Sequence, residues 1–147
     1  LESQVKDWFK PSAYGLILLM KKGYPCIFYG DYYGVKGKKS PHRKVLDMLL
    51  RARKEYAYGE EVDYFDHPNT IGFVRLGDSG HADSGLALVI SNGEDGEKTM
   101  SVGENRKGEV WHEITGSVKD TVAIDEEGKG RFLVKGGKLA VWVKVKA

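Results

Sequence analysis

The sequence of 147 residues lacks the features that mark several classes of protein. It has one cysteine, Cys26, so no disulfide can form within the chain. Its 23 basic and 21 acidic side chains give a formal net charge of +2, which offers no electrostatic footprint for nucleic acid. The longest apolar run, residues 16–20, is far too short to span a bilayer. These absences argue against a disulfide-stapled domain, a nucleic-acid-binding domain and a membrane-spanning protein.

No targeting signal is visible in the sequence. Leu1 and Glu2 are not part of a basic start followed by an apolar core, which a signal peptide would require. A single cysteine is compatible with both secretion and the cytoplasm, so the localisation stays open. Cys26 lies inside a short apolar run, where we expect it to be buried as a small hydrophobe.

The first 59 residues predict a helix, a buried strand and a second helix. Residues 5–22 carry apolar side chains at helical spacing. Residues 26–29 form a short apolar run bounded by proline and glycine, which predicts a fully buried strand. A second amphipathic pattern covers residues 41–56. Helix, buried strand and helix are typical of a parallel α/β sheet or barrel.

From residue 60 onward the apolar pattern changes from helical to alternating. Strands are predicted at residues 62–65, 70–76, 86–91, 98–102, 109–114, 121–124, 131–135 and 139–145. Their spacing of about ten residues, with glycine turns between them, favours an antiparallel sandwich or barrel. The last strand ends the sequence, and we expect it at a sheet edge. The fold prediction is therefore α+β by content, and the change of architecture indicates a piece of a longer protein.

Few residues carry a catalytic pattern. No two carboxylates form a convincing acid/base pair, and the histidines lack metal spacing. Asp31 follows the predicted strand, where barrels carry their active sites, so it would either contact substrate or cap the loop backbone. Tyr33 would either stack on a sugar or pack. Trp111 and Trp142 would stack on sugars if exposed, although we expect burial in the sandwich core.

Several stretches resemble the liquefying type of bacterial alpha-amylase. They are WFKPSAYGLILLMKKGYPCIFYGDYYGVKG and LLRARKEYAYGEEVDYFDHPNTIGFVRLGDS, continued by SGLALVISNG, GEVWHEITG and KGGKLAVWV. The resemblance covers essentially the whole chain, and GYPCIFYGDYYG and ARKEYAYG are its most specific parts. It implies that residues 1–59 are the last elements of a (β/α)₈ barrel. Residues 60–147 would be the C-terminal antiparallel Greek-key sandwich domain.

The resemblance implies that the parent protein endo-hydrolyses α-1,4 bonds of starch and malto-oligosaccharides with retention. In the family, the aspartate nucleophile, the glutamate acid/base and a second aspartate lie on earlier barrel strands. No catalytic residue is therefore assigned here, and we expect the chain alone to be inactive. Two alternatives stay open: a non-catalytic carbohydrate-binding module and a purely structural β-sandwich.

The resemblance also implies a calcium ion between the barrel and the β domain of the parent. Its family ligands include a backbone oxygen and two aspartates, and the matching positions here are Pro68, Asn69 and Asn92. Asparagine replaces both aspartates, so two formal charges are lost, and the other family ligands belong to the missing barrel. We expect a weak or absent calcium site.

The predicted strand at residues 26–29 requires two parallel neighbours and two covered faces. Without them it would expose backbone donors and aromatic surface, which favours aggregation. We therefore expect residues 1–58 to self-associate, swap between copies or become disordered, while residues 60–147 fold alone. In the parent, the partner of this segment would be the missing barrel portion.

Overall fold

A computed structural model describes residues 5–146 of the chain. A 3₁₀ turn at Asp7–Phe9 precedes three helices: α1 at Lys10–Leu19, α2 at Tyr29–Tyr33 and α3 at Arg43–Glu55. The strands are β1 (Glu61–Tyr64), β2 (Thr70–Arg75), β3 (Leu86–Ser91), β4 (Gly96–Ser101), β5 (Val110–Glu113), β6 (Thr121–Ala123), β7 (Lys129–Val134) and β8 (Leu139–Lys144). Each of the eight strands predicted from residue 60 onward is confirmed, with its ends within about two residues of the prediction. Within residues 5–146, no helix combines the length and apolar character needed to cross a bilayer.

The strands form two antiparallel sheets. The larger sheet has six strands in the order β1-β2-β3-β8-β5-β6, and the smaller one pairs β4 with β7. The prediction that β8 lies at an edge is wrong, because β8 pairs with β3 on one side and with β5 on the other. Residues 139–143 are all buried, and apolar side chains on both faces of a strand are typical of a central position.

Helices α1 and α3 cover one face of the six-stranded sheet. Leu18 and Leu19 of α1 and Leu49 of α3 pack in one cluster with Phe73 of β2 and Val141 of β8. This cluster joins residues on both sides of the predicted boundary at residue 59. The helices and the sheet therefore share one hydrophobic core.

The second core lies between the two sheets. Trp111, Phe132 and Trp142 are fully buried there, with ring centroids 5.8 and 5.9 Å apart along the series. The Trp142 indole N–H donates to the Leu133 carbonyl at 3.1 Å, and the Trp111 indole N–H donates to Glu109 Oε1 at 3.0 Å. The expected burial of both tryptophans is confirmed, and each buried N–H has a partner.

The predicted strand at residues 26–29 does not form. Residues 24–28 are irregular, Tyr29 begins helix α2, and Cys26 is exposed rather than buried. Phe28 and Tyr29 are 56% and 71% exposed. A parallel strand requires neighbours on the same sheet, and the pairs between strands among the described residues are all antiparallel. The apolar run therefore stays unpaired at the surface.

Candidate functional site

Asp31 lies at the centre of a small polar network in the helical part of the chain. It is buried in the short helix α2, and its Oδ1 accepts a hydrogen bond from Lys10 Nζ at 2.9 Å. Its Oδ2 accepts from the Tyr14 hydroxyl at 2.5 Å, and its backbone carbonyl accepts from the Ser40 hydroxyl. Both carboxylate oxygens are therefore engaged by groups of this chain.

The network sets the ionisation of its two central groups. Burial alone would raise the pKa of Asp31, but the hydrogen bonds from Lys10 and Tyr14 outweigh it and hold that pKa below its usual range. Burial and then the bond to Asp31 raise the pKa of Tyr14 to about 12. At neutral pH Asp31 is therefore a paired carboxylate and Tyr14 a neutral donor, which favours the structural alternative for Asp31 over substrate contact.

Tyr33 lies in an exposed aromatic cluster. Its ring centroid is 4.6 Å from that of Tyr29 and 4.8 Å from that of Tyr32. The Arg43 guanidinium carbon lies 4.0 Å from the centroid of the Tyr32 ring. These contacts hold the rings together but leave Tyr33 accessible, so sugar stacking and packing against a missing partner both remain hypotheses for it.

The three positions that match the family calcium site lie on two adjacent loops, Pro68 and Asn69 between β1 and β2 and Asn92 between β3 and β4. The Asn92 N–H donates to the Asn69 carbonyl at 3.1 Å, so that oxygen already has a donor. His67 Nδ1 accepts the N–H groups of Asn69 and Thr70, each at 3.1 Å, and so closes the turn after Pro68. Across residues 5–146, no cluster of three or more His, Cys, Asp or Glu side chains is placed to hold a metal. By themselves these residues do not fit a calcium centre.

The C-terminal end of helix α1 is tied to the rest of the molecule by two arginines. The last carbonyls of a helix have no partner within it. Arg53 Nη1 of α3 donates to the Leu18 carbonyl at 2.6 Å, and Arg75 Nη1 of β2 donates to the Leu19 carbonyl at 2.9 Å. Arg75 Nε also donates to the Gly59 carbonyl at 3.1 Å. One buried guanidinium therefore joins strand β2, the end of helix α1 and the segment between α3 and β1.

This junction is not among the predicted sites, although the sequence contains a signal for it. Arg75 has the same strand parity as Ile71 and Phe73, whose side chains lie in the core shared with the helices. A charged residue on the apolar face of a strand requires partners, because burial of an unpaired charge is costly. That argument predicts that Arg75 is paired, but it does not say with which carbonyls.

Comparison with known proteins decides the relationship. Glucan 1,4-alpha-maltohexaosidase of Bacillus sp. (strain 707) is 49% identical over 144 residues, and Bacillus licheniformis alpha-amylase is 49% identical over 148 residues. The chain belongs to the alpha-amylase family. These alignments cover 97% and 98% of the chain, but only 28% and 29% of the relatives' lengths, so the chain corresponds to their C-terminal part. No family model matches the chain.

Solved structures share the fold at low sequence identity. A truncated alternansucrase from Leuconostoc mesenteroides superposes with a TM-score of 0.77 and 20% identity, over 94% of this chain and 18% of that one. An alpha-amylase from Malbranchea cinnamomea gives a TM-score of 0.69 and 13% identity, over 93% and 33%. The arrangement of helices on an antiparallel sandwich therefore recurs in proteins with little sequence similarity.

Proposed function

We propose that the chain is the C-terminal part of an alpha-amylase that endo-hydrolyses α-1,4-glucosidic bonds of starch and malto-oligosaccharides with retention. The observation that carries this proposal is identity of 49% to the maltohexaosidase over 97% of the chain, through the helical part and the sandwich alike. Among the described residues of the helical part, Asp31 is the one buried carboxylate, and it is already paired with Lys10 and Tyr14. We assign no catalytic residue to the chain, and it is inactive alone.

The role of the chain in the parent is to complete and support the barrel. Helices α1 and α3 lie in the part of the chain that resembles the barrel. They pack on the six-stranded sheet of the β domain. Phe28, Tyr29 and Tyr33 are the exposed aromatic groups that the missing barrel portion would cover. An unfilled face of this kind also explains why the isolated chain would self-associate.

A carbohydrate-binding module based on Trp111 and Trp142 has no support, because both rings are 0% exposed.

We also propose that the charged ligands of a calcium ion in the parent come from the missing barrel. Asn69 and Asn92 supply only neutral oxygens, and the Asn69 carbonyl already accepts an N–H. The β domain therefore contributes little to the affinity for the ion.

The test is starch hydrolysis by the chain and by a chimera. The purified chain should release no reducing ends from soluble starch, whereas a fusion of the chain to the barrel portion of Bacillus licheniformis alpha-amylase should release them. A chimera that shows native circular dichroism and cooperative unfolding, yet does not cleave starch, would contradict the amylase assignment. Hydrolysis by the chain alone at the correct intact mass would contradict the assignment of no catalytic residue.

A further inference from the structure

A cavity lies where the C-terminal ends of helices α1 and α3 meet strand β2. Its volume is about 360 Å³, which lies in the range of about 300–1,000 Å³ typical of small-ligand sites. Among the described residues, its lining includes no carboxylate but four cationic side chains: Lys21, Arg53, Lys54 and Arg75. We propose that this junction cavity binds a phosphate dianion, either as the free ion or as a monoester.

The two arginines keep hydrogen-bond donors in reserve after they bind the end of helix α1. Arg53 donates to the Leu18 carbonyl through Nη1. Arg75 donates to the carbonyls of Leu19 and Gly59 through Nη1 and Nε. Nη2 of each guanidinium makes no hydrogen bond to another described residue. A guanidinium presents its N–H groups as a planar fork that matches phosphate oxygens, and the backbone contacts already fix both forks. The cavity is therefore preorganised for an oxyanion.

Acidic groups near the cavity offset only part of its positive charge. Lys21 Nζ pairs with Glu60 Oε1 at 2.7 Å on the surface. Glu61 Oε1 accepts the backbone N–H of Lys21 at 2.7 Å. The end of helix α1 adds partial negative charge at the carbonyls that the two arginines already bind. The other three cations of the lining form no ion pair with a carboxylate of the described chain, so the cavity keeps an excess of positive charge.

The two guanidiniums also lie close enough to disfavour each other's charge. Burial lowers the pKa of Arg75, and the charge of Arg53 lowers it further, while Glu61 and Glu60 act in the opposite direction. An anion bound between like charges stabilises both of them. Phosphate supplies two negative charges and several acceptor oxygens, whereas chloride supplies one charge and no pair of oxygens for a fork. The arrangement therefore favours phosphate over a monovalent halide.

The remaining wall of the cavity is apolar and can distinguish the two sources of the phosphate group. Met20, Leu50 and Ala57 line this wall, and Tyr58 lies beside them. A single phosphate ion fills only part of a cavity of about 360 Å³. The organic part of a monoester would cover the apolar wall and gain affinity from its burial. Inorganic phosphate is therefore the probe for the free ion, and phenyl phosphate is the probe for an ester.

The experiment is calorimetric titration of the intact chain with each probe, at an ionic strength held constant with sodium chloride. We expect saturable binding of inorganic phosphate that is half complete at about 1–10 mM. Tighter binding of phenyl phosphate would support the site and identify an ester as its ligand, whereas equal affinities would support the site and identify the free ion. The absence of saturable binding for both probes would overturn the proposal.

The Lys54→Met variant locates the binding without disturbing the contacts of the two arginines. The ion pairs that α3 makes with other described residues are Arg43–Asp47 and Arg51–Glu55, so Lys54 is outside them. The variant should therefore melt like the wild-type chain but bind phosphate at least about fivefold more weakly, because a cation of the lining is lost.

The matched control is Lys44→Met, which removes the same charge from an exposed position of the same helix. Lys44 precedes Lys54 by about 15 Å along the helix axis, so phosphate binding should stay unchanged. Arg53→Lys keeps the charge but removes the planar fork, and it should also weaken binding. Equal affinities of Lys54→Met and the wild-type chain, or equal weakening by Lys54→Met and Lys44→Met, would contradict the proposal.

Discussion

Replacement of Arg75 by methionine tests whether the helices and the sheet unfold as one unit. Methionine keeps the apolar stem of the side chain but removes the donors to the carbonyls of Leu19 and Gly59. Hydrogen bonds from a charged group contribute about 1.5–3 kcal/mol each, and the two carbonyls would lose their donor. Removal of a buried cation offsets part of this loss, because burial already lowers the pKa of Arg75 and so disfavours its charged form.

We therefore expect the Arg75→Met variant to lose about 3 kcal/mol in its free energy of unfolding. For a chain of this size, that loss lowers the melting temperature by roughly 6–12 °C. The matched control is Arg131→Met, which makes the same change on strand β7. Arg131 pairs with Glu97 at 2.6 Å at the surface, where both side chains are at least half exposed. An exposed ion pair contributes about 0–1 kcal/mol, so the control should unfold almost like the wild-type chain.

Urea unfolding followed by two signals measures both the loss and its location. Far-ultraviolet circular dichroism reports mainly on helices α1 and α3, and near-ultraviolet circular dichroism of the buried Trp111 and Trp142 reports on the sandwich core. The two transitions should coincide in the wild-type chain and separate in Arg75→Met, with the helical signal changing first. If Arg75→Met lost no more stability than Arg131→Met, the argument that this guanidinium holds the junction would be refuted.

Three further predictions follow from the same contacts. The pKa of Tyr14 is raised to about 12, so its contribution to stability is complete below pH 10 and is lost as the pH rises from about 10 to 12. Unfolding measured across this pH range should show a loss of about 2–3 kcal/mol in the free energy of unfolding. Tyr14→Phe should abolish this pH-dependent loss. Removal of residues 1–59 would uncover Phe73 and Val141 on the sheet. We therefore expect residues 60–147 alone to bind a hydrophobic dye and to melt at a lower temperature than the whole chain. An unchanged melting temperature would contradict the prediction that the shared core stabilises the sheet. The melting temperature of the isolated chain with added calcium should lie within about 1 °C of its value with a chelator, because Asn69 and Asn92 provide no charged oxygen. Stabilisation by calcium of several degrees would contradict the proposed loss of the site.

The local pattern of residues was sufficient for much of the secondary structure. Alternating apolar side chains gave the eight strands, because the two faces of a strand differ at every second residue. The helical spacing of Leu46 and Leu49 likewise predicted α3 within about two residues. Burial of Trp111 and Trp142 followed from their place in a sandwich core. These features depend on neighbours in the sequence, so the sequence contains them directly.

The candidate sites were less predictable, because each depends on groups far apart in the chain. Asp31 was recognised as a residue of interest, but its partners Lys10 and Tyr14 come from another helix. Arg75 was not singled out, since the carbonyls that it reaches belong to Leu19 and Gly59, which are distant in the sequence. Local composition cannot report which distant backbone groups a side chain will reach.

Other properties arise only when distant parts of the chain meet. The run at residues 26–29 has the composition of a buried strand, yet it stays unpaired because no parallel neighbour lies beside it among the described residues. Strand β8 is central because β3 and β5 both pair with it. Arg75 is tolerated in the core because two carbonyls from other segments lie within reach. Hydrogen bonding in a sheet and the solvation of a buried charge depend on which groups are nearby in space, and the tertiary structure alone determines that.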